Sequence, residues 1–432
     1  MLPTSTIAPV SPDRGARPGR VIAAAAVGNT LEWYDWSVYG FLITYIGLNF
    51  FPAGSSSASL LLAFATFGVG FLMRPLGAVV IGRLAEIHGR KTALTVTFLV
   101  MAAGTAAIAF IPNHASIGIW APVLLLVCRL LQGFSTGGEL GGSLAFLAEW
   151  APARRRGLYV SLQQASTHAG AVLGCGSAAL LSGLLDERQM AEWGWRLPFL
   201  LGSLLLPVAL WLRLQVDETP HFRAARAQAT ATRLAPPPVL APGLFQAIGL
   251  IAAPVACQYL FFTWLAVFAV HHGALSETEA LAANTAALAL LTVLTPVMGA
   301  WSDRVGRKPL LALASSVLLV AAAPVLAWIA AAPGFATVLC LQLSLALVVA
   351  LFHGAGPAAV TELFATRGRA LRVSVAYGVG VALAGGFAPF IASSLVHSTG
   401  SPLAPALYSG AACLVTAWVA LRMPETARRE LA

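Results

Sequence analysis

Apolar residues run along this chain in long unbroken blocks, separated by short polar segments. Many blocks reach ~18 residues or more, enough to cross ~30 Å of hydrocarbon as a helix rising ~1.5 Å per residue. They are continuous and rich in Leu, Ala and Gly, whereas a membrane barrel would alternate polarity over ~10-residue segments. The pattern predicts an all-α integral membrane protein with twelve transmembrane helices. They fall near 22–48, 58–82, 92–111, 119–147, 158–184, 195–214, 243–270, 280–301, 309–331, 336–363, 373–396 and 404–422. Spans one, four, five, seven and ten exceed the minimum length and are expected to tilt.

The polar segments show that the pattern is built twice. "GRLAEIHGRK" (Gly82–Lys91) aligns without a gap on "GAWSDRVGRK" (Gly299–Lys308), half a chain later. Glu149 and Arg154 after span four are echoed at nearly the same offset by Glu362 and Arg367 after span ten. Two echoes at matching topological positions indicate a duplicated six-span unit. The longest hydrophilic stretch, Arg213 to Gly243, sits between the copies, and its "APPPVLAP" breaks any helix. The expected organisation is a tail at 1–20, a six-helix half at 21–214, a linker at 215–242, a second half at 243–422 and a tail at 423–432.

Composition supports this reading. Of the 432 residues 58% are hydrophobic and only 10% charged, against about 25% charged in soluble domains. The first twenty residues lack an apolar core and read as a polar tail, not a cleavable signal. The five cysteines lie in apolar runs without metal-ligand spacing, so no metal site is expected.

The net charge of +9 is a topology signal. Basic residues cluster before span one (Arg14, Arg17, Arg20) and after every even-numbered span, as in Arg83, Arg90 and Lys91 or Arg154, Arg155 and Arg156. The other side carries only Arg188 and Arg196, while Arg74 and Arg129 lie within spans. Cationic loops stay in the cytoplasm, so both termini are expected there. Charge spread over many short segments excludes a nucleic-acid partner.

Ionisable residues inside spans are costly, ~2.5–3.5 kcal/mol at a helix centre, and are functional candidates by default. In span one, Glu32, Asp35 and Tyr39 fall at i, i+3 and i+7, sharing one face. That face is expected to point into a central cavity, with Trp33 and Trp36 turned away as packing or lipid contacts. Span four carries Arg129, Gln132, Thr136 and, among glycines, Glu139. The planar fork of Arg129 suits a substrate carboxylate, or an internal pair with Glu32, Asp35 or Glu139. Span five offers Gln163, Gln164 and His168. The second half offers Gln258, Tyr259, Thr263, Asn284, His353 and Tyr377 as substrate hydrogen-bonders. Arg74 reads as a brace at the cytoplasmic end, and His271 and His272 as incidental residues at the outer boundary. Proton coupling is expected at Asp35, Glu32, Glu139 and His168.

In the duplicated loops, Gly82, Glu86, Gly89 and Arg90 match Gly299, Asp303, Gly306 and Arg307. Acid–Arg pairs across the cytoplasmic face would shut that side in one state and break in the other. Glu149, Arg154, Arg304, Glu362 and Arg367 complete the expected gate.

Together these motifs resemble the major facilitator superfamily. "LEWYDWSVYG" in span one, "GFLMRPLGAVVIGRL" in span two and "RLLQGFSTGGELGGSLAFLAEWAPARRRG" in span four look like its metabolite:proton symporter family, as does "ELFATRGRALRVSVAYGVGVALAGGFAP". Within that family the chain looks most like the citrate–proton symporters. It departs from the pattern at Glu86 and Ile87, where Asp and Arg are usual, and at His168 and His353, where uncharged polar residues are expected. The resemblance implies two pseudo-symmetric halves and a symporter driven by the proton gradient, without a cofactor. It would import citrate or a related tricarboxylate by alternating access, as a monomer in the bacterial inner membrane. Its partners would be a small organic anion, protons and lipid. The alternatives are a dicarboxylate, another organic acid or a betaine-like osmolyte as substrate, or passive facilitation. A membrane enzyme is disfavoured: the chain has no G-x-x-x-x-G-K-[ST], and no nucleophile–His–acid set at a recognisable spacing.

Overall fold

In the computed structural model, residues 18–88, 90–137, 140–204, 242–272, 274–366 and 368–431 are described. Helices stand at all twelve predicted spans, in two pseudo-symmetric halves of six. In the first half, span one is Pro18–Phe41 continued by Ile43–Phe50, and span two is Ser56–Leu72 followed by Arg74–His88. Span three is Arg90–Phe110, span four is Trp120–Thr136 with Leu140–Trp150, and span five is Arg156–Leu184. Span six follows the turn Gly194–Arg196 and is described as far as residue 204. In the second half, span seven joins Leu244–Tyr259 to Leu265–His272, and spans eight to ten are Glu277–Val305, Arg307–Ala331 and Phe335–Glu362. Span eleven joins Arg369–Val381 to Ala388–Thr399, and span twelve is Pro405–Arg422. The tail at 1–17 and the expected linker up to 241 lie outside the described residues.

The surface is apolar where lipid would touch it. Val320 on span nine, Leu407 on span twelve and Phe245 on span seven are each more than 70% exposed. Among the described residues, eight helices are long and apolar enough to cross a membrane by length and composition alone. Most of these bury 39–50% of their apolar window, but span seven buries 83% and is therefore an inner helix.

Spans two and four pack backbone to backbone. A methyl group at Gly133 would occupy the place of the Gly70 carbonyl, so only glycine permits this approach. The halves meet where span five runs along spans eight and ten, and where span eleven packs on spans two and four. Spans seven and eleven each carry one π-helical turn, Leu260–Trp264 and Ala382–Gly386. Such turns aim side chains that a regular helix would rotate away.

Candidate central cavity and its closed end

A cavity of about 720 Å³, open solvent at its mouth included, lies between the halves. Span one contributes Trp33, Trp36, Ser37, Gly40 and Phe41; span two contributes Phe67 and Arg74; span five contributes Gln164, Thr167 and His168. From the second half come Gln258, Tyr259 and Thr263 of span seven, His353 of span ten and Tyr377 of span eleven. A smaller hollow shares Gly40, Phe41 and Thr263 with it and continues past Thr44 and Val270 to His271 and Glu277. His271 is exposed, so the path leads to the side opposite the chain's C-terminus. Beside it the Tyr45 hydroxyl donates to Glu277 at 2.6 Å and ties span one to span eight.

The structure reverses the expected orientation of span one. Trp33 and Trp36 line the cavity, while Asp35 and Tyr39 turn into their own half. Asp35 is 1% exposed and presses against Gly202 of span six. Its Oδ2 accepts from Thr105 of span three at 3.4 Å, and its Oδ1 has no hydrogen-bond partner. Tyr39 stacks on Phe67 and donates to the Ala63 carbonyl at 3.2 Å. Glu32 is buried, and its charge reaches Arg74.

Arg129 likewise stands behind the cavity wall. Its guanidinium lies 4.1 Å from the centroid of Trp36 and 4.3 Å from that of Tyr39, and donates to Gln132 at 2.9 Å. Gln132 donates to Thr105 at 2.8 Å. A polar chain thus links Asp35 to Arg129 through Thr105 and Gln132, and no direct ion pair joins them.

The cationic group that does reach the cavity is Arg74, which the sequence suggested was a brace at the helix end. It is 3% exposed, and its guanidinium packs over Phe71 at 4.5 Å and Trp36 at 4.6 Å. Two of its nitrogens, Nε and Nη2, have no hydrogen-bond partner. The missed signal was positional: "FLMRPLG" puts Arg74 at the start of the second segment of span two, where Met73 breaks the helix midway across.

Of the other expected substrate residues, Gln164, Gln258, Tyr259, Thr263, His353 and Tyr377 line the cavity, and so does His168, which was expected to carry a proton. Three do not. Gln163 is buried against Asn29. Asn284 spends its amide on the Phe262 carbonyl at 2.9 Å and accepts from Gln342 at 3.1 Å. Gln132 belongs to the Arg129 chain. Glu139 lies outside the described residues.

At the other end, where spans four and ten finish, the halves are tied by ion pairs, buried at Glu362 and half-exposed at Glu149. Glu362 accepts from Arg156 at 3.2 Å and Arg307 at 3.1 Å, and Arg307 also pairs with Asp303 at 2.8 Å. Asp303 in turn accepts the Gly157 and Leu158 backbone N–H groups at 2.8 and 3.0 Å. Arg369 pairs with Glu149 at 2.8 Å. The cross-half pairs are reciprocal: Glu149 and Arg156 have the same spacing as Glu362 and Arg369, and each acid takes the other half's arginine.

Arg154 and Arg304 are exposed and stand outside this network, so Arg156 takes the place expected for Arg154. Arg367, Gly89 and the side chains of Glu86 and Arg90 lie outside the described residues, and a methyl at Gly82 would meet open space. Gly306 has φ 111° and abuts the Glu425 carboxylate, which leaves no room for a side chain.

The segment after span twelve straps this end. Glu425 accepts from the Arg307 and Lys308 backbone N–H groups at 2.9 and 3.1 Å, and Thr426 donates to Glu362 at 2.6 Å. Arg428 donates to the Asp303 and Arg304 carbonyls. Partial burial of Glu425 raises its pKa, but four backbone N–H donors outweigh that and hold the carboxyl below the usual range. A depressed pKa adds stability that is present above the ordinary carboxylate range and lost as pH falls through the lowered value. The strap is therefore ionised and intact at neutral pH.

The "Sugar (and other) transporter" family model matches residues 21–235 and 245–432. The chain is 37% identical to the citrate–proton symporter of Klebsiella pneumoniae over 93% of its own length and 90% of that protein's. It is 35% identical to the alpha-ketoglutarate permease of Escherichia coli, over 87% and 86%, and 34% identical to that organism's proline/betaine transporter, over 95% and 84%. Among solved structures, the proton:xylose symporter XylE of the major facilitator superfamily superposes with a TM-score of 0.75. It is 18% identical and covers 96% of this chain and 97% of that one, a likeness of fold. With its twelve-helix major facilitator fold and a cavity between two halves, the chain belongs to the sugar (and other) transporter family and is a membrane transporter, not an enzyme.

Proposed function

We propose that the protein is a proton-coupled symporter of the bacterial inner membrane that imports a polycarboxylate anion, citrate or a close relative. The observation that carries this reading is the charge of the cavity. Arg74 offers two unpartnered nitrogens, and no described lining residue is an acid. A buried guanidinium with two unpartnered nitrogens, facing a cavity whose described lining holds no acid, is a site for an anion. Coupling is assigned to Asp35, whose buried carboxyl has one unpartnered oxygen and a polar chain to Arg129. Both termini are placed in the cytoplasm, so the structure has its cytoplasmic end shut and its cavity facing out.

A zwitterion such as a betaine is the second reading, favoured by the aromatic lining, since quaternary ammonium groups sit over such rings. Trp33, Trp36 and Phe71 already face the guanidinium groups of Arg74 or Arg129, which leaves less aromatic surface for a ligand cation. Uptake of radiolabelled citrate, alpha-ketoglutarate and glycine betaine into proteoliposomes decides between the two. Citrate is expected to accumulate under an inward proton gradient and to stop with a protonophore. Accumulation of betaine alone, or citrate entry indifferent to the protonophore, would reject the coupled-citrate reading.

The ion pairs at the closed end act as the gate. Breaking one partner of a buried pair costs about 3–5 kcal/mol in the state that holds it. Glu362→Gln removes the carboxylate shared by Arg156 and Arg307, and is expected to shift the population toward opening at that end. Labelling of Ser161→Cys, buried in this state, by a membrane-impermeant maleimide from the cytoplasmic side should then accelerate by at least about tenfold. An unchanged rate would remove Glu362 from the gate.

A further inference from the structure

We propose that His168 and His353 form a second carboxylate subsite that takes up a proton as substrate binds, so that the transporter prefers anions with two or more carboxylates. The proposal rests on the anion reading above. His168 belongs to span five and His353 to span ten, in opposite halves. Their ring centroids lie 4.7 Å apart at 87°, edge to face, in the cavity wall. They are 1% and 4% exposed, and none of the four ring nitrogens makes a formed hydrogen bond. One side of His353 is turned toward the Pro254 carbonyl, too loosely to satisfy it.

Two buried imidazoles without partners are expensive, and paired polar groups are the rule in protein interiors. A carboxylate bridging the rings would satisfy an N–H from each. It would also favour a bound proton, because an anion stabilises imidazolium while two adjacent imidazolium rings repel. Binding and protonation then help each other by the same factor. The other ionisable groups of the described lining are Arg74 of span two, Tyr259 of span seven and Tyr377 of span eleven. Span eight contributes none, and Glu32 and Asp35 of span one are buried outside the lining. Arg74 and the histidine pair are thus two cationic poles of one cavity. A monocarboxylate engages Arg74 alone; a di- or tricarboxylate engages both and ties the halves together.

The test is calorimetry on the purified full-length protein with tricarballylate and with butyrate. Titrations are run from about pH 7 to 8.5, where the carboxylates are ionised, in two buffers of different ionisation heat to count protons. In the wild type, tricarballylate is expected to bind with uptake of up to one proton, its affinity falling by up to about tenfold per pH unit as pH rises. Butyrate should bind more weakly and without a linked proton. His168→Gln and His353→Gln should lose the linked proton and most of the preference for tricarballylate over butyrate. A wild type that binds tricarballylate with no linked proton overturns the subsite even where the variants fail to fold. So do variants with the wild-type proton count. A wild type that binds neither anion overturns the anion reading itself.

Discussion

Arg74→Gln is expected to abolish substrate binding while leaving a folded, monodisperse protein. Two charge-assisted hydrogen bonds, each about 1.5–3 kcal/mol, disappear with the guanidinium. The loss in affinity should be at least about a hundredfold. The measurement is equilibrium binding of radiolabelled citrate, or of whichever anion the uptake panel selects. Arg74→Lys should recover little of it, because a single ammonium cannot reproduce the planar fork. The competing view is that Arg74 only braces Trp36 and Phe71 through its cation–π contacts, at 4.6 and 4.5 Å. On that view Arg74→Gln would lower the melting temperature and spare affinity, and that result would remove Arg74 from the site.

Asp35→Asn is expected to end proton-driven accumulation and to leave exchange measurable. The amide keeps the shape of the carboxyl and its contact with Thr105 but carries no titrating proton. Without the Asp35 proton, a polycarboxylate keeps at most the proton taken up at the histidine pair and must enter with net negative charge, against a membrane potential worth ~2.3 kcal/mol per charge per 100 mV. Counterflow of preloaded, labelled substrate needs no net proton movement and should persist. Accumulation by Asp35→Asn would transfer the coupling role to Glu32, Glu139 or His168. Loss of counterflow together with accumulation would mean that Asp35 holds the span-one packing against Gly202, not the proton.

The closed end was half legible in the sequence. The echoed segments placed acids and arginines at equivalent points; Asp303, Arg307 and Glu362 do meet there, while Glu149 pairs with Arg369. The specific arginines were not legible. Three consecutive arginines, Arg154, Arg155 and Arg156, are equivalent as topology signals, and only the turn Ala153–Arg155 decides which one rotates inward. The strap from Glu425 to Arg429 gave no signal either. Most of its hydrogen bonds go to backbone groups of Arg307, Lys308, Asp303 and Arg304, which any residue supplies; the contact of Thr426 with the Glu362 side chain is the exception.

The cavity wall was less legible than its membership. Gln164, His168, Tyr259, His353 and Tyr377 could be named because polar residues in apolar helices must face protein or water, not lipid. That cost separates inside from outside only. It does not say whether a buried polar group faces the cavity or the packed interior of its own half, since both shield it from lipid. Asp35, Tyr39 and Arg129 went to the interior, and Trp33, Trp36 and Arg74 to the cavity.

By itself the sequence determined the twelve spans, their duplication and the transporter class, because hydrocarbon thickness and the cost of buried charge act on each segment locally. Only the tertiary structure decided which face of span one meets the cavity, which arginine reaches the ligand space and that two histidines from opposite halves touch. Those outcomes depend on helix rotation, set by contacts such as Gly133 against Gly70 and Asp35 against Gly202. Such contacts join segments far apart in the chain and leave no periodic trace in either one.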